Sequence, residues 1–173
     1  MSEIPTLTKR RLQAQVIEPI YEEMIRQIGE EKAAGILGAA IRNAAIAEGR
    51  YFADRAPAGQ TSMRDFISLY DLWTSDGALE IDVLEASDTK FDFNVSRCRY
   101  AEMYKEMRLG KIGHLLSCNR DGTFCEGCDT NITLQRNQTI MAGAPCCTFR
   151  YSYTGPGVKP QSAGRLQMHT PDL

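Results

Sequence analysis

The hydrophobic period of this chain changes at residue 79, and that change limits the class of fold it can reach. Before it, apolar residues recur three and four apart, as on one face of a helix. Val16, Ile17, Ile20, Met24 and Ile28 form the first such run, with Thr8 placed to cap it and Gly29 to end it. Pro19 falls inside the run and predicts a kink or break near Glu18, because proline has no N–H to bond back along the helix. A second helix is expected from Glu30 to Glu48, with Ala33, Leu37, Ala40, Ile41 and Ala44 as a small-residue stripe and Gly49 at its end. Residues 53–60 (ADRAPAGQ) read as a loop. Ser62 followed by Asp65 is a capping box, and Phe66, Leu69, Tyr70 and Trp73 give a third helix an aromatic stripe suited to core packing.

From Leu79 the period is two. Leu79, Ile81 and Val83 alternate with polar residues, as do Phe91, Phe93 and Val95, and Ser87 to Thr89 supply the turn of a hairpin. Helical spacing returns from Tyr100 to Leu109, and Gly110 and Gly113 bracket a break. A short helix then carries His114, Leu115 and Cys118. Ile132, Leu134, Gln138 and Ile140 mark a third strand, and Phe149, Tyr151 and Tyr153 a fourth. This order predicts an α+β fold: N-terminal helices packed on a small antiparallel sheet, made of two hairpin-like pairs flanking a helical pair. One domain is expected over residues 1–153, helical over 8–75 and carrying sheet and site over 79–153. Residues 154–173, rich in Gly and Pro, read as a flexible tail.

Charge narrows the partners. The net charge of −2, without a cluster of Lys and Arg, predicts no nucleic-acid partner. No apolar run reaches the ~20 residues of a membrane helix, so no membrane partner is expected. The start, MSEIPTLTKRR, lacks the apolar core of a secretory signal, which points to a cytoplasmic protein. A small-molecule substrate is the partner expected. The Ala-rich stripe of the second helix can serve a homo-oligomer as well as a core.

All six cysteines fall between Cys98 and Cys147. In a reducing compartment they are thiols, ligands or nucleophiles sooner than disulfides. Around LLSCNRDGTFCEGCDT (115–130) three readings compete. As a metal site, Cys125 and Cys128 form a C-x-x-C, with His114 and Cys118 four apart on one helix face. The second knuckle of a structural zinc site is missing, so no cofactor is assigned and zinc stays an open alternative. As a reactive site, Cys118 stands three residues before Asp121. Arg97, Arg99, Arg120 and His114 are the candidate cations or bases that would help form a thiolate, and Asp121 the acid that moves protons. As plain structure, the thiols are small buried hydrophobes, Asp121-Gly122 is a strong turn signal and His114 is an ordinary histidine. A thiol-based redox sensor using Cys125 with Cys128, or Cys146 with Cys147, is a further reading. No G-x-S-x-G, P-loop or dinucleotide fingerprint is present.

Three longer segments add information: FNVSRCRYAEMYKEM (93–107), LLSCNRDGTFCEG (115–127) and LQRNQTIMAGAPCCTFRY (134–151). Together with RRLQAQVIEPIYEEMIRQIGEEKAA (10–34), they make the chain resemble the L-2-amino-thiazoline-4-carboxylic acid hydrolase family from about Thr8 to Tyr153. The resemblance implies three cysteines of interest, Cys98, Cys118 and Cys147. The family segment reads cysteine-aspartate-phenylalanine-arginine where this chain has Cys147-Thr148-Phe149-Arg150. The implied activity opens a cyclic amidine ring: water adds at the carbon between sulfur and nitrogen, the C–S bond breaks, and N-carbamoyl-L-cysteine results. Cys118, or a water activated by Asp121, would attack. Asp121 or Glu102 would serve the amidinium. Arg99, Arg120 or Arg150 would hold the substrate carboxylate. The alternative is a binding module whose cysteine-lined pocket holds a small molecule, haem or metal without turnover.

Overall fold

The computed structural model describes residues 4–56 and 61–156. Helix α1 (Thr6–Ile28) runs unbroken through Pro19, where a kink or break was expected. Proline leaves the Gln15 carbonyl without its helical donor, but Gln15 and Pro19 are both exposed, so water can take that carbonyl. Gly29, at a φ of 84°, ends the helix, and its N–H bonds to the Ile25 carbonyl at 2.9 Å.

Helix α2 (Glu30–Ala53) runs past its expected end at Glu48, because Gly49 is a packing residue and not a stop. A Cβ on Gly49 would lie 2.3 Å from the Phe124 carbonyl oxygen. From the other side, a Cβ on Gly127 would lie 2.0 Å from the Ile46 carbonyl oxygen. Both belong to the crossing of α2 with α6 (Asn119–Cys128), where the two backbones touch. Of the predicted alanine stripe, Ala33 and Leu37 are buried in the chain's own core while Ala40 and Ala44 are exposed.

Ser62 caps α3 (Met63–Ser68) as the capping box predicts, accepting from the Asp65 N–H at 3.2 Å. A turn at Leu69 leads into α4 (Tyr70–Thr74). Strands β1 (Leu79–Ala86) and β2 (Lys90–Cys98) form the expected hairpin. Helix α5 (Arg99–Glu106) ends before Arg108, which adopts a left-handed φ of 61°. Asp121-Gly122 is not a turn but lies within α6, and a single π turn (His114–Cys118) leads into that helix. Strand β3 (Ile132–Gln135) stops before Gln138 and Ile140, and Ile140 instead opens a 3-10 turn capped by Thr139. Strand β4 (Cys147–Tyr153) pairs with both β2 and β3, giving an antiparallel sheet in the order β1-β2-β4-β3. The architecture is α+β, with N-terminal helices packed on the sheet, as the change of period requires.

One face of the sheet carries the core. Phe91, Phe93 and Val95 of β2 and Cys147, Phe149 and Tyr151 of β4 are buried against Met63, Phe66, Tyr70 and Phe124. At its centre the Tyr70 hydroxyl donates to the Tyr151 hydroxyl at 2.7 Å, out of contact with water. Tyr151→Phe would strand the Tyr70 hydroxyl and is expected to cost about 1–3 kcal/mol, read as a lower denaturant midpoint at unchanged slope. A second cluster (Ala14, Tyr21, Ala33, Leu37, Tyr100, Tyr104 and Leu116 among its members) ties α1 and α2 to α5 and the π turn. Among the described residues, no helix is long and apolar enough to cross a membrane.

Candidate functional site: a thiol-walled cleft over buried charges

Three cysteines distant in sequence line one cleft. Cys98 ends β2, Cys118 ends the π turn and Cys147 begins β4 in register with Val95. The cleft encloses about 600 Å³, counting its open mouth, and its walls also hold Arg10, Arg120, Asp121, Arg136 and Tyr100. A second lobe of about 410 Å³ shares Arg10, Trp73, Arg120, Asp121 and Phe149 with the first, and is otherwise lined by Glu48 and by aromatic rings.

The floor between the lobes is a charge network. Arg10 and Arg120 both reach Glu48 Oε2, at 3.0 and 2.6 Å. Arg136 pairs with Asp121 through one nitrogen and donates to the Cys118 carbonyl at 2.9 Å through another. It also lies over the Phe149 ring, 5.0 Å from its centroid. The guanidinium groups are well sheltered, at 6%, 11% and 15% exposure for Arg10, Arg120 and Arg136. Three cations against two carboxylates leave one positive charge in excess. Arg120 Nε is the one buried side-chain nitrogen or oxygen without a hydrogen-bond partner among the described residues. A spare cationic donor and a spare charge at the bottom of a cleft suit an anionic ligand.

Burial controls the titration of these groups. It pushes the Cys98 thiol up to about 11 and the Cys118 thiol up to about 12, and it raises Cys147 as well. Asp121 adds to the rise at Cys118, while Arg136 opposes it and loses. The three thiols are therefore protonated at neutral pH, and Cys118 has no ready-made thiolate. Alkylation of Cys98 and Cys118 by iodoacetamide should be slow near pH ~8 and quicken toward pH ~11, read from peptide masses after timed quenching. Asp121 keeps a third of its side chain open to the cleft. It nevertheless lies deep among protein atoms, and that desolvation raises its carboxyl above the ordinary value against the pull of Arg136. Burial acts to raise Glu48 too, but Arg10 and Arg120 outweigh it and the net shift is downward. Glu48 is thus the firmly ionised anion of the floor, while Asp121 holds its proton more tightly than an ordinary carboxyl.

Of the residues singled out in the sequence, Cys98, Cys118, Cys147, Arg120 and Asp121 meet in the cleft. The others line neither lobe. Arg99 donates to the Asp76 carbonyl at 2.7 Å. Glu102 is held by Arg97 on the surface at 2.8 Å. Arg150 projects from the opposite face of β4 and donates to Phe93 O and Asn94 Oδ1 at 2.8 and 3.0 Å. Thr148 is on that same opposite face, so the departure from the family's Cys-Asp-Phe-Arg segment falls outside the cleft. His114, at the start of the π turn, is exposed and takes no part in the cleft. Cys125 and Cys128 are buried in the core, with Cys125 Sγ donating to the Asp121 carbonyl at 3.5 Å. Among the described residues, no three His, Cys, Asp or Glu side chains are gathered so as to hold a metal ion.

Arg10, Glu48 and Arg136 were not anticipated. Two of them had left a sign. Arg10 interrupts the apolar face formed by Ala14, Ile17 and Tyr21, and Glu48 follows Leu37, Ile41 and Ala45 on the inner face of α2. A charge on a buried helix face needs a partner, and these two find each other. Arg136 follows a short strand and carries no such mark.

Comparison with known proteins places the chain. A solved structure similar to it is the crystal structure of the phenol-responsive sensory domain of the transcription activator PoxR with phenol, at 11% identity, covering 88% of this chain and 76% of that one with a TM-score of 0.49. Among curated proteins, none matches the chain. The family model of L-2-amino-thiazoline-4-carboxylic acid hydrolase matches residues 9–151, which include every wall of the cleft, and the chain belongs to that family.

Proposed function

We propose that the cleft opens the ring of a small cyclic amidine that carries a carboxylate, in the manner the family name describes, with Asp121 moving the protons. The observation that carries this reading is the pairing of one excess buried cation, with an unspent Arg120 Nε, and one carboxyl of raised proton affinity in a single cleft. Arg120, backed by Arg10, holds the substrate carboxylate. Arg136 orients Asp121 through their ion pair. Water adds to the carbon between sulfur and nitrogen. Of its two protons one goes to the ring nitrogen and the other to the sulfur as the C–S bond breaks, and Asp121 relays them in turn. The water oxygen becomes the carbonyl of a urea. Cys98, Cys118 and Cys147 present a polarisable wall of protonated thiols to the ring. A water nucleophile suits these thiols better than attack by Cys118, whose proton is held up to about 12.

Arg120→Gln keeps a polar, hydrogen-bonding side chain but shortens it and removes its charge. It is expected to raise KM about 10- to 100-fold while kcat stays within a few fold, because the lost contact serves ground state and transition state alike. Steady-state kinetics on 2-aminothiazoline-4-carboxylate give both constants, and a collapse of kcat at unchanged KM would remove Arg120 from substrate binding.

A further inference from the structure

The outer face of α1 is apolar and its ends are oppositely charged, in an arrangement that fits a second copy of this chain. Leu12, Val16 and Ile20 are 51%, 62% and 54% exposed, high values for large apolar side chains. Their spacing of four places them on one stripe, opposite the face that Ala14 and Tyr21 bury. Lys9 lies one turn before the stripe and Glu23 one turn after it, both exposed.

The order Lys9, Leu12, Val16, Ile20, Glu23 has steps of three, four, four and three, so it is symmetric about Val16. Turned end for end, a second α1 would set Val16 on Val16, Leu12 on Ile20 and Lys9 on Glu23 at both ends. Such self-complementarity is what a two-fold interface requires. A parallel pairing would place Lys9 on Lys9 and Glu23 on Glu23. Lys9 makes no ion pair among the described residues, and Glu23 bonds only to Arg26 and Gln27 of its own helix. Of the alanine stripe of α2, Ala33 and Leu37 are spent on the chain's own core, and the exposed Ala40 and Ala44 offer only methyl groups.

We infer that the protein self-associates through α1 as an antiparallel two-fold dimer, with Val16 on the axis and Lys9–Glu23 pairs closing each end. Three apolar side chains per copy cover well under the ~800 Å² per partner of a stable interface, so the dimer is weak and concentration-dependent. It leaves the cleft free, because Arg10 and the cleft are on the inner side of α1.

Sedimentation velocity of the full chain over a series of concentrations tests this. The weight-average mass should climb from one chain toward two in the micromolar to millimolar range. Val16→Glu, at an exposed site that leaves the fold intact, should weaken association at least ~10-fold. Lys9→Glu and Glu23→Lys should each weaken it severalfold, and the double exchange K9E/E23K should restore it to within about twofold, since only the antiparallel pairing regenerates both ion pairs. Three results would each overturn the inference: a monomer at every concentration, a dimer untouched by Val16→Glu, or a double exchange no better than the single ones.

Discussion

Asp121→Asn is expected to lower kcat about 10²- to 10⁴-fold, the range that a positioned proton carrier supplies. It should do so without loosening the fold, and the sign follows from the titration. Burial raises the folded carboxyl above its ordinary value. The folded state therefore binds more protons than the unfolded one just above that ordinary value, and the contribution of this group to stability falls as pH rises through the window. Once ionised, the buried carboxylate costs stability, and asparagine removes that cost. Arg136 keeps its bond to the Cys118 carbonyl and its place over Phe149. The melting temperature at pH ~7 should then be unchanged or higher, and its decline as pH rises above the ordinary carboxylate value shallower than in the wild type. A variant that lost activity and melting temperature together would make Asp121 a structural anion and not a proton carrier.

The largest effect on the fold is expected at Gly127. Its Cβ position lies 2.0 Å from the Ile46 carbonyl oxygen, which is backbone and cannot swing aside. Gly127→Ala must push α6 off α2, at a cost of about 3 kcal/mol or more. The same crossing seats Glu48 against Arg120, so the cleft should lose its charge floor along with its stability. Gly110→Ala is the matched control, since its nearest neighbour is the Lys105 side chain at 3.6 Å. That change should stay within about 0.5 kcal/mol. Chemical denaturation of the two variants beside the wild type measures the contrast, and equal midpoints would mean that the helices do not cross this closely.

The helices and strands were legible because burial on one face imposes a period, and the period switches cleanly at Leu79. The capping box at Ser62 and the hairpin turn at residues 87–89 are local chemistry, readable without the rest of the chain. What escaped depended on contacts between distant elements. Gly49 reads as a helix end until α6 is seen lying on it. Asp121-Gly122 reads as a turn until the π turn before it and the packing on α2 make it helical. Pro19 reads as a break until both it and Gln15 are found facing water. In the site, Cys98, Cys118 and Cys147 could be named from the family resemblance, and the fold brings them into one cleft. Arg150 could have been set aside from the sequence: β4 alternates Cys147, Phe149 and Tyr151 on its inner face, so Arg150 must point outward with Thr148. Arg99 and Glu102 carry charges that suit a substrate, but the surface satisfies them locally.

The most direct measurement is to incubate the purified protein with 2-aminothiazoline-4-carboxylate at neutral pH and follow free thiol and product mass together. New thiol should appear one for one with an N-carbamoyl amino acid, catalytically with the wild type and at background rate with Asp121→Asn. A substrate that is recovered intact, although it binds the cleft and shifts the melting temperature, would rule out ring opening here and make this cleft a receptor site in place of an active site.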